Sequence, residues 1–158
     1  MNIERAMNDM ILPKDWRWAT QENDVVFART LIRQTMAPYW RRRGMVFNTT
    51  LFMRQWVKLT AAIIERDETA VGVIAWENEP RVAYLREFHL VESCRGQGLG
   101  MQVLQDWISL QESQGVEIMY LKVFADNPAR SLYERVGFRH AKNFEEIDGL
   151  LGMQRNHA

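Results

Sequence analysis

Apolar residues at helical spacing mark four stretches of this chain, and short apolar runs or alternations mark the strands between them. Trp16 to Thr20 predicts a short first strand. Asn23 or Asp24 then caps a helix carrying Val26, Leu31 and Ile32. From Met36 to Asn48 the periodicity breaks, and the aromatic and basic run APYWRRRGMVFN predicts an irregular connection. Thr49 or Thr50 caps a second helix with Leu51, Phe52, Trp56 and Leu59 on one face. Ala61 to Glu65 and Ala70 to Trp76 predict a hairpin turning at Asp67-Glu68-Thr69. Val82 to Val91 is a longer strand, entered through Asn78-Glu79-Pro80.

The second half has a simpler rhythm. Leu99, Val103, Leu104, Trp107 and Ile108 share one face of a helix that Gly115 ends. Val116 to Phe124, rich in β-branched and aromatic residues, is a strand. Asn127 as cap and Pro128 as first residue open a short helix that Gly137 stops. Phe138 onward and Ile147 to Gln154 predict closing strands. Antiparallel strands first, then strand–helix–strand units, make a mixed α/β class. No repeat or linker divides the 158 residues, so one domain is expected.

Composition narrows the function classes. Lys plus Arg and Asp plus Glu are equal at 20 each, which gives no basic field for nucleic acid. No apolar run approaches the roughly 18 residues that span a bilayer. The start, MNIERAMNDMILPKDW, lacks the basic and apolar regions of a signal peptide. The single cysteine, Cys94, fits a reducing compartment, and the expectation is a cytoplasmic protein. It has no paired His to activate it and reads as a turn residue. His89, His140 and His157 lack metal-ligand spacing, so no metal is expected.

Candidate chemistry centres on Arg95-Gly96-Gln97-Gly98-Leu99-Gly100, between a strand and a helix. Gly96, Gly98 and Gly100 free one side of the turn of Cβ atoms, so backbone N–H groups can approach a phosphate at the positive helix end. A P-loop would need G-x-x-x-x-G-K-S/T, and no lysine follows at that spacing. A Rossmann G-x-G-x-x-G begun at Gly96 would place its third glycine at Met101, and Val116 to Lys122, about 20 residues on, offers only Glu117, early in its strand, to take a ribose.

What remains is R-x-x-G-x-G. The stretch LVESCRGQGLG resembles the acetyl-CoA pyrophosphate loop, R/Q-x-x-G-x-G/A, of the GNAT superfamily of N-acetyltransferases. A second stretch, NPARSLYERVGF from Asn127 to Phe138, is similar to another motif of that family at the spacing the family uses. The resemblance runs from about Asp15 to Arg155, in the N-terminal half by element order only. It implies a GNAT-type α/β fold, with a mostly antiparallel central sheet of about six to seven strands flanked by about four helices. It also implies a single N-acetyltransferase domain over the chain, with acetyl-CoA as co-substrate.

On that resemblance, amides from Gln97 through Leu99 to Met101 hold the pyrophosphate, with Arg95 adding charge compensation or serving as a solvated loop residue. The backbones of His89, Leu90 and Val91 receive the pantetheine arm, and an amide near His89 polarises the acetyl carbonyl. Asn127 caps its helix and bonds the pantetheine. The Tyr133 hydroxyl protonates the departing thiolate, a modest uphill transfer for a phenol of pKa about 10. The acceptor amine must also lose a proton. Glu87 and His89 lie two apart on one strand face and either can take it, directly or through water. Some family members use a glutamate on the next strand, where this chain has Lys122, which favours Glu87.

In this fold the segment joining the first two helices borders the acceptor. Tyr39, Trp40 and Arg41-Arg42-Arg43 there suit a planar, anionic or peptide-like acceptor, although a tri-arginine run is more simply a solvated helix end. Trp76 and Glu77 are the other expected pocket residues. The leading expectation is direct acetyl transfer to a small-molecule or peptide amine in a ternary complex. The alternative is a CoA-binding sensor that keeps the loop without the chemistry. Exposed edge strands would permit a homodimer.

Overall fold

The computed structural model describes residues 10–141 and 149–157. Seven strands form one sheet: β1 (Trp16–Trp18), β2 (Thr60–Arg66), β3 (Thr69–Glu79), β4 (Val82–Leu90), β5 (Ile118–Phe124), β6 (Arg139–His140) and β7 (Leu150–Asn156), in the order β1-β2-β3-β4-β5-β7-β6. Every pairing is antiparallel except β4 with β5. The helices are α1 (Glu22–Arg41), α2 (Thr49–Trp56), α3 (Leu99–Ser113) and α4 (Ala129–Arg135). The expected start of the last strand at Ile147 lies outside the described residues. The described edges, β1 and β6, are three and two residues long, which leaves little ladder for pairing a second copy.

Two apolar layers sandwich the sheet. One face packs Ile74, Leu85 and Met119 against Val103, Leu104 and Trp107 of α3 and Tyr133 of α4. The other packs Ile63 and Val73 against Ala28, Leu31 and Ile32 of α1 and Phe52 of α2. The first hairpin turns on Asp67 and Glu68 alone, both at positive φ (51° and 64°), and Thr69 already pairs with Arg66. β3 runs past Trp76 to Glu79, so the next turn is Pro80-Arg81, with Arg81 at φ 66°.

The first helix departs most from its sequence expectation. It starts after Gln21, and Asp24 takes the third helical position rather than the cap. Asp24 accepts the Gln21 N–H at 3.0 Å and two Arg17 bonds at 2.8 and 2.8 Å, and is only 3% exposed. Val26, expected on the buried face, is exposed, and Ala28 replaces it. The helix also continues through Pro38 to Arg41, across residues expected to be irregular. Packing overrides the proline there: Tyr39 stacks on Phe124 at 5.8 Å and Trp40 on Phe47 at 5.4 Å. In α2 the cap is Asn48, which accepts the Leu51 N–H at 3.0 Å; Leu51 is exposed and Leu59 lies beyond the helix.

Asp24 gives a stability prediction. Burial pushes its carboxyl up, but the Arg17 hydrogen bonds, the Gln21 N–H and the Arg17 charge outweigh it and hold the group below its ordinary value. A depressed folded pKa contributes stability that is complete above the unfolded value, near 4, and fades as pH falls through the folded one. Asp24→Asn is expected to cost about 2–4 kcal/mol near neutral pH. Urea midpoints should show that deficit narrowing as pH falls below the unfolded value, near 4.

Candidate active site

The site begins where two parallel strands part. β4 and β5 pair from Val82 with Ile118 to Leu85 with Leu121, although β4 continues to Leu90 and β5 to Phe124. On the other side of β4, Ala75 pairs with Glu87 and Trp76 with Leu85, so Arg86 is an extra residue in a β-bulge. A bulge bends its strand, and β4 turns away from β5 at that point. Between the parted ends lies a cavity of about 720 Å³, walled by Leu85–Leu90 and Leu121–Phe124 and closed by Ile32, Met36, Tyr39 and Trp40 of α1. That size suits a small organic ligand. Backbone groups on the two facing edges lack a strand partner there and suit an extended, amide-bearing chain.

The glycine turn sits at the mouth of this cavity. Gly96 and Gly98 have φ of 73° and 80°, and a Cβ on either would meet nothing within 4 Å. Gly98 caps α3 without any side-chain bond, so the first helical N–H groups border open space. Gly100 serves packing instead, since a Cβ there would come within 3.3 Å of Leu132 and its smallness lets α3 approach α4. Arg95, Gly96, Gly98, Gly100 and Met101 line the cavity, whereas Gln97 and Leu99 do not. Gln97 donates to the Ser93 carbonyl at 3.0 Å and accepts from Arg66 at 3.2 Å, and Leu99 packs on the core. Arg95 donates to the Leu90 carbonyl at 3.1 Å and to Thr35 Oγ1 at 3.2 Å, tying the turn to β4 and α1.

Of the three expected β4 backbone contacts, His89 and Leu90 line the cavity and Val91 does not. The Val91 N–H donates to Val71 at 2.8 Å and its carbonyl accepts from Cys94, so neither group is free for a ligand. Cys94 ends a short 3-10 turn, Glu92–Cys94, and is buried in the core. Asn127 lines the cavity, and its Oδ1 accepts the Ala129 N–H at 2.9 Å as a cap should. Pro128 is already helical in its dihedrals, though regular helix begins one residue later.

Tyr133, on the inward face of α4, lines the cavity and packs edge-on to Phe138 at 6.0 Å. Burial, and secondarily the charge of Glu87, push its phenol well above the ordinary value. It is protonated at neutral pH, as an ordinary phenol is, and can donate a hydrogen bond, while the upward shift makes it a weaker acid than the sequence alone implies. Glu87 accepts from or donates to His89 Nε2 at 2.6 Å through Oε2, and its side chain is 25% exposed. Both residues face the α1–α2 layer, as their β3 partners Ala75 and Val73 do.

On the acceptor side, Tyr39 and Trp40 line the cavity. Trp76 does not. It is 0% exposed, packed edge-on to Trp107 at 6.3 Å, and its Nε1 donates to Asn78 at 3.1 Å. Trp76 shares the α3 face with Ile74 by the alternation of β3, opposite Leu85, whereas Val73 faces the other layer. Glu77, outside the lining, is held by Arg86 at 2.7 Å. The tri-arginine run is more than a solvated helix end: Arg42 and Arg43 both bind Asp126, and Arg43 lies 4.1 Å over the Phe124 ring. They fasten the end of α1 to the loop after β5. Among the described residues no group of three His, Cys, Asp or Glu side chains could hold a metal ion. No described helix is long and apolar enough to cross a membrane.

The family profile described as Acetyltransferase (GNAT) family matches residues 25–138, most of the chain and all of the cavity's β4, glycine-turn and α4 walls. The chain belongs to the GNAT family. Its mixed, mostly antiparallel seven-strand sheet with flanking helices is the fold of that family. N-alpha-acetyltransferase 30 of Schizosaccharomyces pombe is 28% identical over 92 residues, which are 55% of this chain and 61% of that protein. The chain thus spans less than two thirds of that relative. Among solved structures, the PaiA N-acetyltransferase of Thermoplasma acidophilum in complex with coenzyme A superposes with a TM-score of 0.65 at 14% identity, over 90% of this chain and 99% of that one. The ribosomal-protein-S18-alanine N-acetyltransferase of Escherichia coli gives 0.66 at 20% identity, over 89% and 93%. At such identities these two structures speak for the GNAT fold.

Proposed function

We propose that this GNAT protein is an N-acetyltransferase that moves an acetyl group from acetyl-CoA to a primary amine by direct attack in a ternary complex. The observation that carries the reading is the parted β4–β5 edge leading from the open Gly96–Gly98 turn to the Glu87 and Tyr133 side chains. When bound, acetyl-CoA supplies an activated thioester. The residues fit it: the turn offers backbone N–H groups for pyrophosphate, and the free strand edges offer partners for a pantetheine arm. The domain is taken to span about residues 15–155, in a reducing compartment that keeps the single, buried Cys94 as a thiol.

The chemistry divides among three groups of the chain. Glu87 takes the proton that the acceptor ammonium must lose. The amide near His89 orients toward the carbonyl oxygen where charge develops. Tyr133, protonated at neutral pH, gives its proton to the leaving sulfur as charge develops there. Cys94 lies outside the cavity lining, which supports direct transfer over a cysteine-bound acyl group. A sensor that binds CoA without turnover has no use for a protonated phenol beside a carboxylate, and the pair favours the enzyme.

Tyr39 and Trp40 give the acceptor side aromatic walls, and two relatives are named for α-amine or alanine acetylation. Peptides with a free N-terminus therefore belong in an acceptor panel with amino acids, polyamines, aminoglycosides and small monoamines. Thiol release from acetyl-CoA is expected to rise above background hydrolysis with at least one class. A panel in which no amine raises it would favour the sensor.

A further inference from the structure

We propose that His89 is the positioning residue of the general base: its imidazole holds the Glu87 carboxylate in place and does not itself accept the acceptor's proton. The inference rests on the reading of Glu87 as that base.

The two members of the pair are unequal in access. His89 is 8% exposed, whereas the Glu87 side chain keeps enough surface to meet a ligand in the cavity. His89 Nε2 and Glu87 Oε2 are 2.6 Å apart, a short hydrogen bond. The other ring nitrogen, Nδ1, is shut off from solvent and has no hydrogen-bond partner among the described residues. A proton on Nδ1 would be a buried donor without an acceptor, the costlier kind of orphan. The network therefore assigns the single proton of a neutral ring to Nε2, where it is donated to Oε2. Oε1 is left for the amine.

The same orphan closes the alternative route. A relay that passed the proton from Glu87 through His89 would have to discharge it at Nδ1, which is shut off from solvent and has no acceptor among the described residues. A base on a flexible glutamate loses rotamer freedom when it is held, and here the strand supplies the holder. The bulge at Arg86 makes this arrangement, because it brings Glu87 and His89 onto the α1–α2 face while Leu85 stays on the opposite one. Tyr39, Arg86, Arg95, Lys122, Tyr133 and Arg135 supply the cavity's remaining charged or titratable groups and are the same in every variant below.

Two experiments test the proposal on the full chain. The first needs no acceptor: ¹⁵N NMR of the imidazoles at neutral pH, with the His89 signals assigned by their loss in His89→Gln. Nε2 is expected to be protonated and Nδ1 bare. A proton on Nδ1, in either the other tautomer or an imidazolium, overturns the proposal. The second uses the amine that releases thiol in the panel above. His89→Leu is expected to lower kcat about 10–100-fold, with KM for acetyl-CoA unchanged. His89→Gln, which keeps an N–H donor near the Nε2 position, should recover most of that loss. In a Glu87→Gln background, His89→Leu should cost nothing further. Equal losses in His89→Gln and His89→Leu, or a further loss in the double variant, make His89 an independent catalytic group and overturn the proposal. A Glu87→Gln enzyme of unchanged kcat would instead sink the reading of Glu87 as base.

Discussion

Tyr133→Phe is expected to bind acetyl-CoA as tightly as the unaltered protein and to turn over about 10²–10⁴-fold more slowly. The substitution removes one oxygen. The ring keeps its edge-on contact with Phe138, and the α4 packing that surrounds it is apolar, so the fold has no reason to respond. What disappears is the proton. The hydroxyl sits in a cavity where burial and the Glu87 charge both oppose ionisation, so at neutral pH it holds its proton and gives it up as negative charge develops on the leaving sulfur. Without it the departing thiolate must find a proton from water in a partly closed site. The predicted signature is a fall in kcat with the dissociation constant of acetyl-CoA unchanged. An unchanged rate removes Tyr133 from the mechanism, and a parallel loss of affinity makes it a binding residue.

The second large effect falls on the glycine turn. Gly98→Glu is expected to abolish acetyl-CoA binding while the domain stays folded. At φ 80° any side chain is strained by about 1–2 kcal/mol. The added atoms meet nothing within 4 Å, so no packing is broken. The cost falls on the ligand, because a carboxylate now projects into the space reserved for the pyrophosphate. Two like charges 4 Å apart near a protein surface repel by about 4 kcal/mol, roughly a thousandfold in affinity. Far-UV circular dichroism should be unaltered while equilibrium dialysis shows no retained nucleotide. Retained binding would move the phosphate site away from this turn.

These two residues were legible because their signals are local. A glycine pattern before a helix, and L-Y-E-x-x-G-F inside one, carry their geometry with them. The element order was legible for the same reason, since the hydrophobic periods of α3 and β5 are strong. Long-range packing was not. The continuation of α1 through Pro38 is accompanied by stacking on Phe47, in the loop that follows, and on Phe124, far along the chain. Trp76, expected beside the acceptor, instead alternates with Val73 and shares the α3 face with Ile74, and it is the extra residue at Arg86 that moves the later β4 side chains by one face. That bulge also opens the cavity itself. Asp126, fastening Arg42 and Arg43, sits beside the motif at Asn127 but carries no sequence signal of its own. Gly100 shows the intermediate case: the pattern placed it with its neighbours, and only the contact with Leu132 separates packing from ligand access.

Everything proposed for the chemistry requires that the parted β4–β5 edge and the Gly96–Gly98 turn form one acetyl-CoA site. Isothermal titration of the purified protein with acetyl-CoA tests that most directly, with Gly98→Glu as the matched control. Saturable one-to-one heat is expected for the unaltered chain and none for the variant. No measurable heat from the unaltered chain, or equal binding by both proteins, would contradict it.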